Sequence, residues 1–463
     1  MKQPLDLLEH WDREHCWHPF TPMAEYGLQR PTLITRAEGF FLFDQDGNKY
    51  LDAFSSLWCN VHGHQVAEID EAIRQQLKEV AHTTFLGLSH PTAIQLARKL
   101  VELAPAGLTR VFFSDDGATA VEVAIKMAFQ YLAQRPDPKP EKTLFLSLTG
   151  AYHGDTLGDV SLGDMGKFHA LFKPLLFPTL KAPAPYCYRC PLGLRRESCA
   201  IDCAATIEKM VEENASRLAA VVIEPLVQGA AGMITAPAGF LKRLRDITQK
   251  HDVLLIADEV ATGFGRTGTL FACEQEGVVP DFLCLAKGIT GGYLPLAATL
   301  TRESIFQAFH NTPGGPDRTF QHGHTYTANP LGAAAAMASI NLLTQPGGTL
   351  SQVMEKGERL QKQLDRLQEF PQVGEVRRRG LMAGIEIVKN RATKDPWPEE
   401  YRAGNRVCQL ARKKGVMIRP LGDVVVVMPP LAISGELVDL LGEVLYNSFM
   451  EFALVAGREV LAT

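Results

Sequence analysis

Two residues of complementary chemistry end two short apolar runs of the chain. Asp258 follows the run 253–257, and Lys287 follows the run 282–286. Such runs, bounded by turn residues, are typical of buried parallel strands whose carboxyl ends deliver side chains into a cleft. Pyridoxal phosphate (PLP) needs an amine to hold its aldehyde carbon and a carboxylate to keep its pyridine nitrogen protonated. The pair therefore predicts a PLP site.

Three further segments offer groups for the rest of this cofactor. Gly117 and Ala118 lie between a predicted strand and a predicted helix, where unpaired N–H groups could hold a phosphate; an ordinary turn is the alternative. Tyr152 follows another strand end and could stack on the pyridine ring or be a core tyrosine. Thr325, in the loop that begins at Gly323, could bind a phosphate or serve only the turn.

Two arginines are candidates for binding an anionic substrate. Arg266 lies in a long glycine-rich segment after Asp258, and it could bind a substrate carboxylate or form a salt bridge with Glu224. Arg419 ends the run 415–418 and could be a second anion-binding group. Its position alone favours the alternative, an exposed arginine without such a role.

Four of the nine cysteines lie close together in the sequence, at Cys187, Cys190, Cys199 and Cys203. Four thiolates at such spacings could enclose zinc or an iron–sulfur centre. Because the predicted chemistry needs no metal, we assign none and expect reduced structural thiols or a labile disulfide. The odd total of cysteines indicates a reducing compartment.

The elements that position these residues alternate between strands and helices from about residue 93 to 304. We predict strands at 110–113, 143–148, 219–223, 253–257 and 282–286, and a helix at 118–132. This pattern is typical of an α/β fold in which helices cover both faces of a mostly parallel sheet. We predict a large domain at 77–331 and a smaller α+β domain from both chain ends, at 1–76 and 332–463.

Composition excludes several classes of function. The 463 residues are 46% hydrophobic and 21% charged, so the chain can bury a large core. A formal net charge of -5 gives no electrostatic reason to expect nucleic acid or an anionic membrane as partner. The first residues lack the apolar stretch of a signal peptide, and no segment reaches the ~18 apolar residues of a membrane span. The sequence predicts a cytoplasmic protein.

The set of Asp258, Lys287, the motif 152–154 and the motif 323–325 resembles the class III, fold-type I PLP-dependent aminotransferases over nearly the whole chain. Within that family, three more motifs resemble the branch that makes 7,8-diaminononanoate in biotin biosynthesis: 17–21, 55–64 and 418–422. The resemblance implies transfer of an amino group to 8-amino-7-oxononanoate.

The resemblance also implies a role for each motif residue. Lys287 would hold the cofactor and then move a proton, Asp258 would contact the pyridine nitrogen, and Tyr152 would stack on the ring. Gly117 and Ala118 would bind the phosphate from one subunit and Thr325 from the other, which implies a homodimer with its active site at the subunit interface. The implied substrate-binding residues are Phe20, Trp58, Asp155, Arg266, Gly323 and Arg419.

The resemblance implies that the amino donor is lysine or S-adenosylmethionine. Family members that use S-adenosylmethionine typically carry Tyr where this chain has Phe20 and Trp where it has Leu57. A lost hydroxyl removes a hydrogen-bond partner from a polar donor, which favours lysine.

The sequence leaves three alternatives to this function. They are another class III transaminase acting on ω-amino acids or diamines, decarboxylase or mutase chemistry on the same cofactor, and a non-catalytic regulatory protein.

Overall fold

The computed structural model describes residues 3–461. Its helices begin and end as follows: α1 (Leu5–His15), α2 (Met23–Tyr26), α3 (Ser55–Trp58), α4 (Ala67–Glu79), α5 (Pro91–Leu103), α6 (Gly117–Gln134), α7 (Leu157–Leu162), α8 (Lys167–Ala170), α9 (Asp202–Asn214), α10 (Phe240–Lys250), α11 (Glu303–Gln307), α12 (Pro330–Thr344), α13 (Val353–Asp365), α14 (Ala403–Lys413) and α15 (Gly435–Leu461). None of the helices in this range is long and apolar enough to cross a membrane.

The strands fall into four sheets. They are β1 (Ile34–Glu38), β2 (Phe41–Asp44), β3 (Lys49–Asp52), β4 (Leu108–Ser114), β5 (Leu144–Leu148), β6 (Thr179–Ala182), β7 (Leu218–Ile223), β8 (Val227–Gln228), β9 (Ile234–Thr235), β10 (Leu254–Asp258), β11 (Phe282–Leu285), β12 (Ala297–Arg302), β13 (Val373–Arg379), β14 (Met382–Ile387), β15 (Val416–Met417), β16 (Arg419–Leu421) and β17 (Val424–Val427).

The central sheet has seven strands in the order β4, β12, β11, β10, β7, β5, β6. Strand β12 runs antiparallel to both of its neighbours, and every other neighbouring pair is parallel. All residues of β7 and β10 are buried, as expected for parallel strands covered by helices on both faces. The α6 side chains Val121, Val123 and Ala124 belong to the same buried cluster as Val222 of β7 and Ile256 of β10.

The predicted α/β class is confirmed, and the five predicted strands and the predicted helix all form with shifted ends. The sequence pattern does not predict the strands β6 and β12. The first is only four residues long and contains Lys181, and the second contains Thr299, Thr301 and Arg302, so neither shows the continuous apolar run of the other strands. Their place in the sheet depends on pairing with β5, β11 and β4.

Segments from both ends of the chain meet in a second sheet of order β1, β2, β3, β15. Val416 of β15 pairs in parallel with Leu51 of β3, so a strand from the C-terminal part completes a sheet that begins near the N-terminus. A third sheet, of order β13, β14, β17, β16, lies wholly in the C-terminal part. These pairings agree with a smaller domain built from both ends, and its boundaries at 76 and 331 stay a prediction.

Candidate active site

A cavity of about 770 Å³ opens where the central strands end. Asp258 is the last residue of β10, Lys287 follows β11, and the start of α6 faces them. The parallel arrangement brings these three groups to the same edge of the sheet. The cavity is lined by both predicted cofactor groups and by Trp58, Gly117, Ala118, Tyr152, Asp155 and Glu224.

Asp258 is held by two hydrogen-bond donors. Oδ2 of its carboxylate lies 2.7 Å from Nδ1 of His153, and Oδ1 accepts from the backbone N–H of Val260 at 3.0 Å. The side chain is only 4% exposed, and a buried carboxylate needs such partners. Nε2 of His153 is also buried and has no partner within residues 3–461. The sequence places His153 in a site motif but does not indicate its contact with Asp258.

Lys287 lines the cavity, and its backbone has a strained conformation. Its φ of 44° lies in the left-handed region, which non-glycine residues rarely adopt and which clusters at functional sites. Its Nζ is 5.2 Å from the ring centroid of Trp58. Burial lowers the pKa of the Lys287 ammonium, and the nearby Asp258 and Glu224 carboxylates oppose that shift. A neutral amine can accept a proton or bind a carbonyl carbon.

The start of α6 forms a cradle for an anion. Asp116 caps the helix by accepting from the N–H of Thr119 at 2.9 Å, and the first helical N–H groups have no partner inside the helix. A Cβ added at Gly117 would lie 2.5 Å from Cγ1 of Val260, so a side chain at this position has no room. The N–H groups of Gly117 and Ala118 therefore remain open to a phosphate.

Aromatic side chains form the walls of the cavity. The hydroxyl of Tyr152 donates to Oδ2 of Asp155 at 2.7 Å, and burial raises the pKa of this tyrosine above its ordinary value of 10.0. Trp58, the last residue of α3, lines the same cavity. Each of these two aromatic rings offers a face on which a flat cofactor ring could stack.

An unusual left-handed turn places Trp58 in the cavity. All four residues of α3, from Ser55 to Trp58, have positive φ. Asp52 stabilises the turn by accepting from the N–H and the hydroxyl of Ser56 at 2.9 and 2.7 Å. Local sequence preference does not predict such a turn, because L-residues disfavour this conformation.

Glu224 lies in the cavity itself, whereas the sequence predicts it only as a partner for Arg266. Its carboxylate accepts from the N–H of Gly229 at 2.8 Å and from the N–H of Tyr152 at 3.4 Å. Burial raises the pKa of Glu224 from 4.5 to about 7. Its position directly after β7 is the sequence signal that could have identified it.

The prediction for Arg266 needs correction in one respect, because it forms no salt bridge with Glu224. Its side chain is 1% exposed, and its guanidinium donates to the backbone carbonyls of Asn60 at 2.6 Å and Pro429 at 2.7 Å. These bonds join the loop after β10 to the segment around Asn60 and to the segment that follows β17. The packing around Arg266 thus assigns it to the scaffold of the site, and a role in binding a substrate carboxylate stays a prediction.

Four other candidates lie away from the cavity within this one chain. Gly323 and Thr325 are exposed in their loop. Arg419 lines a separate cavity of about 800 Å³. Phe20 is 62% exposed, and its ring packs edge-on against the ring of Phe168, with 5.8 Å between the two ring centroids. Within this one chain, these four residues therefore do not reach the cavity of Lys287, and their predicted roles stay predictions.

The four clustered cysteines all have free thiols. In residues 3–461, no group of three or more His, Cys, Asp or Glu side chains is placed so as to hold a metal ion. The expectation of no metal remains a prediction about the protein in solution.

The sequence profile of the family "Aminotransferase class-III" matches residues 23–448, which is most of the chain. This chain belongs to the class III aminotransferases. Class III aminotransferases depend on PLP, as the cofactor prediction requires. An amine transaminase of an uncultivated Pseudomonas species, whose crystal structure is of the PLP-bound form, is 36% identical with a TM-score of 0.90, and the match covers 94% of this chain and 98% of that one.

Relatives within the class III family bear a more specific name. The adenosylmethionine-8-amino-7-oxononanoate aminotransferase of Nitratidesulfovibrio vulgaris is 54% identical over 91% of this chain and 78% of that protein. The protein of the same name from Geobacter sulfurreducens is 50% identical over 95% and 97% of the two chains. A crystal structure of the Methanocaldococcus jannaschii protein of that name has a TM-score of 0.91 at 43% identity, covering 97% of this chain and 99% of that one.

The geometry fits the cofactor of the class III family. A buried carboxylate, an amine of lowered pKa and a helix start without room for a side chain face one cavity. Asp258 would hold the pyridine nitrogen, Lys287 the aldehyde carbon, and Gly117 and Ala118 the phosphate. These are the three chemically distinct parts of PLP.

Proposed function

We propose that this enzyme transfers an amino group to 8-amino-7-oxononanoate and so makes 7,8-diaminononanoate for biotin biosynthesis. The observation that carries the proposal is the Asp258–Lys287 cavity in a chain that is 54% and 50% identical to two proteins named for this reaction. The fold alone is insufficient support, since an ω-transaminase shares it at a TM-score of 0.91.

Lys287 is the residue that moves protons in this proposal. When bound, PLP holds the amine substrate covalently and withdraws electrons from the carbon that loses its proton. The Nζ of Lys287 accepts that proton from the substrate carbon and delivers it to a carbon atom of the cofactor. Its lowered pKa keeps a fraction of the amine neutral for this purpose. The carboxylate of Asp258 stabilises positive charge on the pyridine nitrogen, and His153 holds that carboxylate in place.

The substrate residues of this proposal are Trp58, Tyr152, Phe20, Asp155 and Arg419. Trp58 and Tyr152 wall the cavity beside Lys287, and Asp155 accepts a hydrogen bond from the Tyr152 hydroxyl, where it can meet a donor amine. Arg419 lines the second cavity together with apolar side chains such as Ile418, a combination that suits the carboxylate of an acid with an apolar chain. Phe20 is the exposed aromatic residue that this proposal assigns to the channel of the substrate.

We include a homodimer in the proposal, with Gly323 and Thr325 reaching the partner's cavity. The exposure of this loop, away from its own chain's cavity, supports the arrangement. A cytoplasmic location also belongs to the proposal, and it rests on the nine free cysteines of the chain.

Two donors each have an observation in their favour. Phe20 and Leu57 favour lysine, for the reason given from the sequence, whereas the relatives at 54% and 50% identity are named for adenosylmethionine. A single-turnover experiment decides between them: each amine is added alone to the PLP-loaded enzyme, and the absorbance of the bound cofactor is followed. The productive donor changes the spectrum, and the other leaves it unchanged.

The reaction itself is tested by product analysis with 8-amino-7-oxononanoate as acceptor. We expect 7,8-diaminononanoate from the wild type and a loss of at least roughly 100-fold in rate for Lys287→Ala, since this variant lacks the proton-moving amine. The matched control is Lys356→Ala, which removes another lysine of lowered pKa, outside the cavity, and should keep full activity. Turnover with pyruvate as acceptor and none with 8-amino-7-oxononanoate would instead favour an ω-amino-acid transaminase.

A further inference from the structure

Four thiols share one small cavity apart from the active site. Cys187, Cys190, Cys199 and Cys203 all line a cavity of about 230 Å³. This cavity has no lining residue in common with the one that holds Lys287. The four cysteines come from two segments, one that follows β6 and one that leads into α9, so the fold joins the two sequence pairs.

In the described part of the chain, few protein groups occupy the thiols. Nη1 of Arg196 lies 3.5 Å from Sγ of Cys187. Sγ of Cys199 accepts from the N–H of Asp202 at 3.4 Å and donates to Oδ2 of the same residue at 3.3 Å. Cys203 is in the first turn of α9.

The number of thiols indicates what they could bind. Four cysteines in one cavity match the ligand number of a closed tetrahedral zinc site. A metal bound there would deprotonate the thiols that coordinate it.

We propose that Cys187, Cys190, Cys199 and Cys203 bind one structural Zn²⁺ ion. Their sulfur atoms must turn toward the cavity to do so, since as placed no three ligand side chains in residues 3–461 are grouped around a common point. Each cysteine has a single side-chain torsion with three staggered positions, and rotation about it is the movement that the proposal requires. The proposal departs from the expectation of no metal and is independent of the proposed reaction.

The ion would stabilise a segment that joins two parts of the molecule. Tyr186 and Arg189, which flank Cys187, both donate to the carboxylate of Glu386 on β14. Between Cys190 and Cys199 the chain has little regular structure to order it. Zinc would therefore fix the loop that contacts the C-terminal sheet.

The test is metal analysis of the full-length, PLP-loaded enzyme purified without a histidine tag and without chelators. We expect about one Zn²⁺ per chain, and loss of that zinc in the double variant Cys199→Ser with Cys203→Ser. Cys16→Ser, which changes an exposed cysteine outside the cluster, is the matched control and should retain the metal. Four titratable thiols in metal-free protein, a disulfide within the cluster, or stoichiometric iron with sulfide would each overturn the proposal.

A second measurement on the wild type covers the case in which the double variant does not fold. A mercurial reagent that blocks thiols should release the zinc to a colorimetric chelator, and Co²⁺ added in its place should give the intense near-ultraviolet absorption of thiolate ligands. Removal of the ion should lower the melting temperature of the wild type. Zinc that a chelator removes without any change in free thiols or in melting would contradict a structural four-thiolate site.

Discussion

At the scale of single residues, the site depends on how burial sets the charge of a few side chains. Lys287 has a lowered pKa because it is buried, while Asp258 keeps hydrogen-bond donors on both oxygens. One cavity can therefore contain a proton-accepting amine and a carboxylate held for a cation. Glu224, on the neighbouring strand end, is a third ionisable group in that cavity.

Glu224 should make the stability of the enzyme depend on pH. Burial raises its pKa from 4.5 to about 7, so the folded chain retains a proton that the unfolded chain releases. Its contribution to the free energy of unfolding is fully present below pH 4.5 and is lost as the pH rises through about 7. We expect Glu224→Gln to remove this pH dependence, which amounts to at most about 3 kcal/mol in the free energy of unfolding. The measurement is denaturant unfolding at several pH values and a fixed PLP concentration.

Glu259→Gln is the matched control for this measurement. Burial also raises the pKa of Glu259 to about 7, and its carboxylate accepts from the N–H groups of Ala272 and Cys273, outside the cavity of Lys287. Both variants should flatten the stability profile, but only Glu224→Gln should alter the pH profile of the rate. An unchanged stability slope in Glu224→Gln would show that this carboxyl is already ionised in the folded chain.

At the scale of elements, the site is built where strand ends meet the start of α6. Strand β10 supplies Asp258, and the turn after β11 supplies Lys287. Val260, two residues after Asp258, packs against Gly117 of α6. Because Val260 also donates its N–H to Asp258, the phosphate cradle and the carboxylate are mechanically linked.

Gly117→Ala should weaken PLP binding through this packing. The new Cβ would lie 2.5 Å from Cγ1 of Val260, and relieving such an overlap typically costs about 1–3 kcal/mol. We expect the dissociation constant of PLP to rise roughly tenfold or more, as followed by cofactor absorbance during dialysis. Gly457→Ala, on α15 with open space for a Cβ, is the control and should leave that constant unchanged. Equal PLP affinity in both variants would argue against phosphate binding at the helix start.

At the scale of the whole molecule, the single chain leaves part of the proposed site unassembled. Thr325 and Gly323 are exposed, and they do not line the cavity of their own chain. A second copy is the proposed source of these groups, so each dimer would contain two sites that each use residues from both subunits.

Hybrid dimers test this arrangement directly. Lys287→Ala and Thr325→Asp subunits are each expected to be inactive as pure dimers, the second because an added carboxylate repels the phosphate. In a hybrid, the Thr325→Asp subunit supplies an intact Lys287 and its partner an intact Thr325, so one site is complete. We expect hybrid dimers, made by refolding the two variants together, to have up to about half of the wild-type activity per dimer. No restoration would mean that Thr325 acts within its own chain or that the dimer does not form.

Local sequence patterns were sufficient for most strands of the central sheet and for the chemistry at their ends. A continuous apolar run identifies a buried parallel strand, and the residue that follows it must lie at the edge where the cavity opens. Asp258, Lys287 and the Gly117–Ala118 turn were therefore predictable from neighbours within a few residues, and the alternation of strands and helices predicted the fold class. The PLP-dependent family followed instead from a resemblance of motifs over nearly the whole chain.

Tertiary structure alone decided the contacts between residues that lie far apart in the chain. His153 meets Asp258 across 105 positions of sequence, and Arg266 reaches Asn60 across 206, which places its guanidinium on backbone carbonyls rather than on Glu224. The left-handed turn that ends at Trp58 is likewise held by a distant contact, the hydrogen bond that the hydroxyl of Ser55 donates to the backbone carbonyl of Met428 at 2.6 Å. Such contacts follow from how elements pack together, and the periodicity of a single segment carries no information about the partner it will meet.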